Sequence, residues 1–154
     1  MATLSSILTP SNLVTETNTV TLTNKTLTAP TVNDGVLNQT ESVGGFENYS
    51  AVTSSAGAAT LDLETANVFQ LALTENVTSF TWSNPAASGK SYGFTLRVIQ
   101  DSTDRSITWP AAVDWPGATA PTLSSGNGAV DVFVFFTTDS GTTWYGFTAG
   151  QALA

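Results

Sequence analysis

The chain has 154 residues, no His, no Cys, and twelve acidic against four basic side chains, for a net charge of −8. Those absences exclude imidazole acid–base chemistry, Ser–His and Cys–His nucleophile pairs, thiolate–imidazole zinc sites and a disulfide framework. Four cations are too few to neutralise a phosphate backbone, so neither nucleic acid nor an anionic membrane is an expected partner.

The opening stretch, MATLSSILTPSN, lacks a basic n-region and has too short an apolar run for a signal peptide. No apolar stretch approaches the roughly 18 residues that span a bilayer. The expectation is a chain made in the cytosol with no export signal. Charged residues are 10% of the chain, against roughly 25% in ordinary soluble domains. Hydration must therefore rest on Thr, Ser, Asn and Gly.

Composition divides the chain near residue 56. Residues 1–56 hold two aromatics, Phe46 and Tyr49, whereas all four Trp and most Phe follow Gly57. In the first region Val20, Leu22, Leu27, Val32, Val36 and Leu37 punctuate the Thr-rich run TNTVTLTNKTLTAPTVNDGVL. Thr is β-branched and stiff at χ1, so the run reads as extended chain, with turns at Asn24-Lys25 and Asn33-Asp34-Gly35. Sparse apolar residues bury little within one chain and become useful against a partner surface. Residues 1–56 are thus expected to be an anchoring and oligomerisation arm, with those six residues as its contacts; a Thr-rich linker is the plainer alternative.

Residues 57–154 alternate with period two. Ala59, Leu61 and Leu63 share one strand face; Phe69, Leu71 and Leu73 share the next, then Phe80 and Trp82. Tyr92, Phe94, Leu96 and Val98 align opposite Thr95 and Arg97. Val130, Val132, Val134 and Phe136 form a stripe whose other side carries Phe133 and Phe135, so this strand is expected to be central and buried on both sides. Asp139-Ser140-Gly141 marks a hairpin before the last strand, TTWYGFT. No window shows a helical period. The fold expected is all-β: an antiparallel β-sandwich or jelly-roll-like domain at 57–154, behind an extended N-terminal β arm.

Candidate chemistry is thin. Trp109 and Trp115 each precede Pro, which holds the backbone extended and the rings rigid. They are weighed as a glycan-stacking platform and as a plug for the open end of a sandwich, the plug being favoured. Asp101 and Asp104 resemble the paired carboxylates of a glycosidase, yet both fall in a turn beside Arg105, where Asp bonds to backbone amides. No calcium loop or phosphate-cradling motif is present. Catalytic, cofactor and metal residues are therefore expected to be none, and the chain is expected not to be an enzyme.

Two stretches carry a resemblance. TLTNKTLTAPTVNDGVL (21–37) resembles segments of fibre and particle-surface proteins of tailed bacteriophages. Residues 57–146, with ATLDLETANVFQLALTENVTSFTWSNP, LRVIQDSTDRSITWP, VDWPGATAPTLS and VDVFVFFTTDSGTTWYGF, resemble a β-domain recurrent in structural proteins of marine and cyanobacterial phages. The resemblance implies a non-enzymatic virion protein on the outer surface of the particle. Shortness and a single NKT segment favour a capsid decoration protein, of cement or head-fibre type, over a long tail fibre. The expected partners are further copies in a homotrimer and the major capsid protein or another virion protein. The alternative implied is a tail-fibre or tail-tip subunit that binds a host surface glycan.

Overall fold

The computed structural model describes Gly44–Leu153, together with Thr26 and Thr28. Eight strands follow in order: β1 (Tyr49–Val52), β2 (Ala58–Asp62), β3 (Val68–Ala72), β4 (Ser79–Ser83), β5 (Tyr92–Ile99), β6 (Val113–Asp114), β7 (Val130–Thr137) and β8 (Trp144–Leu153). A single turn of 3₁₀ helix at Pro116–Ala118 is the helical exception among the described residues. The all-β expectation holds.

The pairing differs from expectation. Six strands form one sheet in the order β1-β3-β5-β7-β8-β6, and β2 pairs with β4 in a second. Only β5–β7 and β7–β8 are antiparallel; β1–β3, β3–β5, β2–β4 and β6–β8 are parallel. The physical reason lies in where each turn sends the chain. From β1 to β5 successive strands alternate between the two sheets, so the next strand in the same sheet runs in the same direction. Turn residues mark a reversal but do not reveal the layer in which the next strand lies.

The expected boundary at 56/57 is also corrected. The compact unit runs from Val43 to Ala154, and β1 pairs in register with β3, Tyr49 opposite Val68 and Val52 opposite Leu71. The boundary missed β1 because YSAV offers only Tyr49 and Val52 as β-formers. Its inward residue Val52 packs against the core, so the strand closes one edge of the large sheet.

The core lies between the sheets. Leu61, Phe69, Leu71, Leu96, Val98, Phe133 and Phe135 are all essentially without solvent contact. Trp82 of β4 crosses the layer gap, its ring centroid 4.7 Å from that of Phe135, 5.0 Å from Phe94 and 5.2 Å from Trp144. Edge-on contacts of this kind bring the positive ring edge to a negative ring face and add to the area buried. Tyr92 closes one end of the core. Its hydroxyl lies 2.8 Å from the Leu63 carbonyl and 2.9 Å from that of Ala66, donating to one at a time. Burial first, then the Asp62 and Glu47 charges, raise its pKa above the ordinary phenol value.

Candidate functional site

The two-stranded layer is too narrow to cover the inner face of six strands. The segment after β5 completes the cover. Trp109 lies with its ring 5.0 Å from Phe133 and 5.2 Å from Trp115, which in turn sits 5.5 Å from Phe135. Trp115 is 9% exposed. Gly146 of β8 makes room for it: a methyl there would stand 2.9 Å from Val113 Cγ1 and 3.0 Å from the Trp115 ring. The Trp-Pro pair is thus a structural lid on the core. Trp115 offers no stacking face to a sugar, and Trp109 is half-buried, packed against the core.

Beside Trp109 lies a cleft of about 440 Å³, lined among others by Gln100, Asp104, Arg105, Thr122 and Leu123. Much of its polar lining already has internal partners. The buried Gln100 amide accepts from Arg105 N (2.9 Å) and donates to Arg105 O (2.7 Å), clamping the intervening turn. Asp101 accepts from Arg105 Nε at 2.8 Å and from Thr103 N at 2.8 Å, and these bonds hold its carboxyl below the usual carboxylate range. Asp104, in the left-handed region at φ 54°, accepts from Gly126 N at 2.6 Å. A glycosidase acid requires a raised pKa; Asp101 is moved the other way. Among the described residues no cluster of three or more candidate ligands could hold a metal ion.

Asp131 has a similar structural use. Buried on β7, it accepts from Ser124 N (2.7 Å), Ser124 Oγ (2.6 Å) and Ala152 N (3.1 Å). One carboxylate so ties the 119–129 loop to the end of β8.

The outer face of the large sheet is of a different character. Cross-strand registers line up Tyr49, Val68, Thr95, Val134 and Phe147 in one row across five strands. The neighbouring row runs Gly93, Phe136, Tyr145, Asp114. On the other side a row runs Ala51, Gln70, Arg97, Val132, with Gln70 Oε1 accepting from Arg97 Nη1. Phe136 stacks on Phe147 at 6.1 Å with planes 5° apart, and leans on Tyr145 at 5.0 Å. These rings stay open to solvent: Tyr49 is 58% exposed, Phe147 46%, Tyr145 42%, and Phe136 and Val134 each 37%.

This corrects the expected two-sided burial of β7. Phe133 and Phe135 point into the core, while Val134 and Phe136 point out. The strand is central in its sheet, as expected, but the described chain places no second layer over its outer side. The open aromatic face was not singled out as a site from sequence. Its signal was there, in the unbroken apolar run of β7 and the alternation Trp144-Tyr145-Gly146-Phe147. The arm residues Val20, Leu22, Leu27, Val32, Val36 and Leu37 lie outside the described residues. No family model, curated protein or solved structure matches the chain.

Proposed function

We propose that the chain is a non-enzymatic structural protein of a tailed-phage particle, a capsid decoration protein of cement or head-fibre type. Residues 1–42, ahead of the compact unit, supply the anchor, and β1 belongs to the projecting β-domain. The observation that carries the reading is the division of labour in that domain. Asp62, Asp101, Asp104, Asp131 and Asp139 accept hydrogen bonds in turns and loop latches, its Trp-Pro segment is a lid, and the outer face of its large sheet is open and aromatic. Such a surface suits assembly rather than turnover. The resemblance of residues 21–37 and 57–146 to phage surface proteins supplies the setting, and the partners are further copies together with the major capsid protein or another virion protein.

The cleft beside Trp109 favours one second reading, a tail-fibre or tail-tip subunit that binds a host glycan. Imaging purified particles by electron microscopy with the chain labelled separates the two. Label distributed over the capsid is the expected result, and label confined to the tail supports the second. Adding the purified full chain to capsids that lack it tests anchoring directly. Absence of the chain from particles overturns both readings.

A further inference from the structure

We infer that the outer face of the six-stranded sheet is a homotypic interface, covered by the same face of a second copy of this chain. The inference rests on the assembly role proposed above, and it names the surface by which copies meet.

The two outer faces of the domain differ in chemistry. The small sheet turns Ala58, Thr60, Ser79 and Thr81 outward, the residues expected of a strand that meets water. The large sheet turns out Tyr49, Val134, Phe136, Tyr145 and Phe147. At roughly 200 Å² per ring, the exposed fractions of its four aromatics amount to on the order of 400 Å². That is within the range of about 300–600 Å² for the largest patch on a monomer, which is often functional. Val134, Ala51 and the stems of Gln70 and Arg97 add to it, toward the roughly 800 Å² per partner of a standard interface.

Charge selects the occupant. A chain of net charge −8 repels its own copies at long range. Within the rows of the outer face the single basic group is Arg97; Asp114 ends one row, and Glu47 borders the recess at Gly93. Two copies meeting with an offset set Arg97 of one toward Glu47 or Asp114 of the other, so that opposite charges pair across the contact.

Shape points the same way. At Gly93 the face has a recess of about 220 Å³ bordered by Glu47, Asn67, Thr95, Val134 and Phe136. Gly93 keeps it open, since a Cβ there would lie 3.1 Å from Phe135 O and 3.6 Å from Phe136 Cβ. The same face carries the recess and the protruding rings of Tyr49, Tyr145 and Phe147, so it is self-complementary in the sense that a two-fold contact demands. Flat sheet faces pack on one another at about 10 Å with side chains interleaved. Edge-to-edge pairing is the poorer route, because the edge strands β1 and β6 have only four and two residues, and β8 beside β6 is irregular in its pairing with β7.

Sedimentation velocity on the full chain across a concentration series tests the inference. The wild type is expected to associate reversibly, and more tightly as salt screens its charge. Phe136→Glu with Phe147→Glu should raise the concentration for half-association at least tenfold while leaving the β-sheet circular dichroism unchanged. Thr60→Glu with Thr81→Glu, on the other sheet, should leave association as it was. Thr95→Lys, a polar site in the middle of the first row, replaces the Phe pair if that variant loses its fold. A wild type monomeric at about 100 µM, roughly a hundredfold above micromolar affinity, overturns the inference, as does unchanged assembly of the charged variants. A monomer found on virions sinks the interface and leaves the decoration role standing. An oligomer built on this face but absent from virions does the reverse.

Discussion

Adjacent phenylalanines on β7 should differ sharply in what they contribute. Phe135 has no solvent exposure and lies against Trp82 at 4.7 Å, Phe94 at 5.1 Å and Trp115 at 5.5 Å. Burying about 200 Å² of ring at roughly 25 cal/mol/Å² sets an upper bound near 5 kcal/mol. Phe135→Ala also leaves a cavity, and measured costs for such sites run to about 3–5 kcal/mol. Phe136 keeps 37% of its surface in water, and its ring neighbours are Tyr145 and Phe147 on the same open face. Phe136→Ala should therefore cost about 1 kcal/mol or less. The gap of at least about 2 kcal/mol is roughly a thirtyfold difference in the folding equilibrium. Urea denaturation at low concentration, where association does not contribute, measures it. Trp fluorescence is a suitable probe, since Trp82, Trp109 and Trp115 all lie near Phe135. Equal costs at the two positions, or a cost below about 1 kcal/mol for Phe135→Ala, would refute the assigned inward and outward faces.

Three further outcomes are expected. Asp131→Asn should destabilise by about 1–3 kcal/mol, because an amide cannot accept from Ser124 N, Ser124 Oγ and Ala152 N together; urea titration reads this, and a neutral result removes the latch. Asp101 and Asp139 have folded pKa values below the ordinary 3.8, from hydrogen bonds led by Arg105 and by Thr143 N respectively. Their contribution is thus present above the unfolded value and lost as pH falls through the folded ones, so the urea midpoint should hold from pH 7 to about 5 and drop below about 4. Asp139→Asn should shrink that acid drop, and an identical acid profile would count against the assignment. A fragment starting at Gly44 should melt cooperatively, whereas one starting at Gly57 lacks β1 and should melt lower; equal melting temperatures would show β1 to be dispensable.

Much of the fold was legible in the sequence because a strand has a period of two. The alternation at Leu61, Phe69, Leu71, Phe94 and Leu96 placed each of these side chains on the face that turns out to be buried. Prolines at 85, 110, 116 and 121 all fall outside strands, where a missing donor does least harm. Sheet membership was not legible, since alternation says which side of a strand is apolar and nothing about its neighbour. Of the candidate residues, Trp109 and Trp115 proved to be the lid on the core, the role favoured for them. The signal was the Pro after each ring, which fixes the backbone without fixing what the ring meets. β1 escaped because its inward contribution is one residue, Val52.

The aromatic outer face shows a wider ambiguity in β sequences. A run such as VDVFVFFT is apolar on both sides, which requires two covering layers. One is supplied here by β2, β4 and the Trp-Pro lid, against Phe133 and Phe135. The other, over Val134 and Phe136, is not supplied by the domain. Sequence cannot distinguish a layer made by the same chain from one made by another copy, because both ask for the same residues at the same spacing. The identity of the cover is instead written in charge. A face meant for water would carry the Thr and Ser of β2 and β4, and one meant for a basic partner would carry carboxylates. This face carries rings in two adjacent rows beside one guanidinium, Arg97, which a second copy can set against Glu47 or Asp114, so an acidic chain can meet itself here.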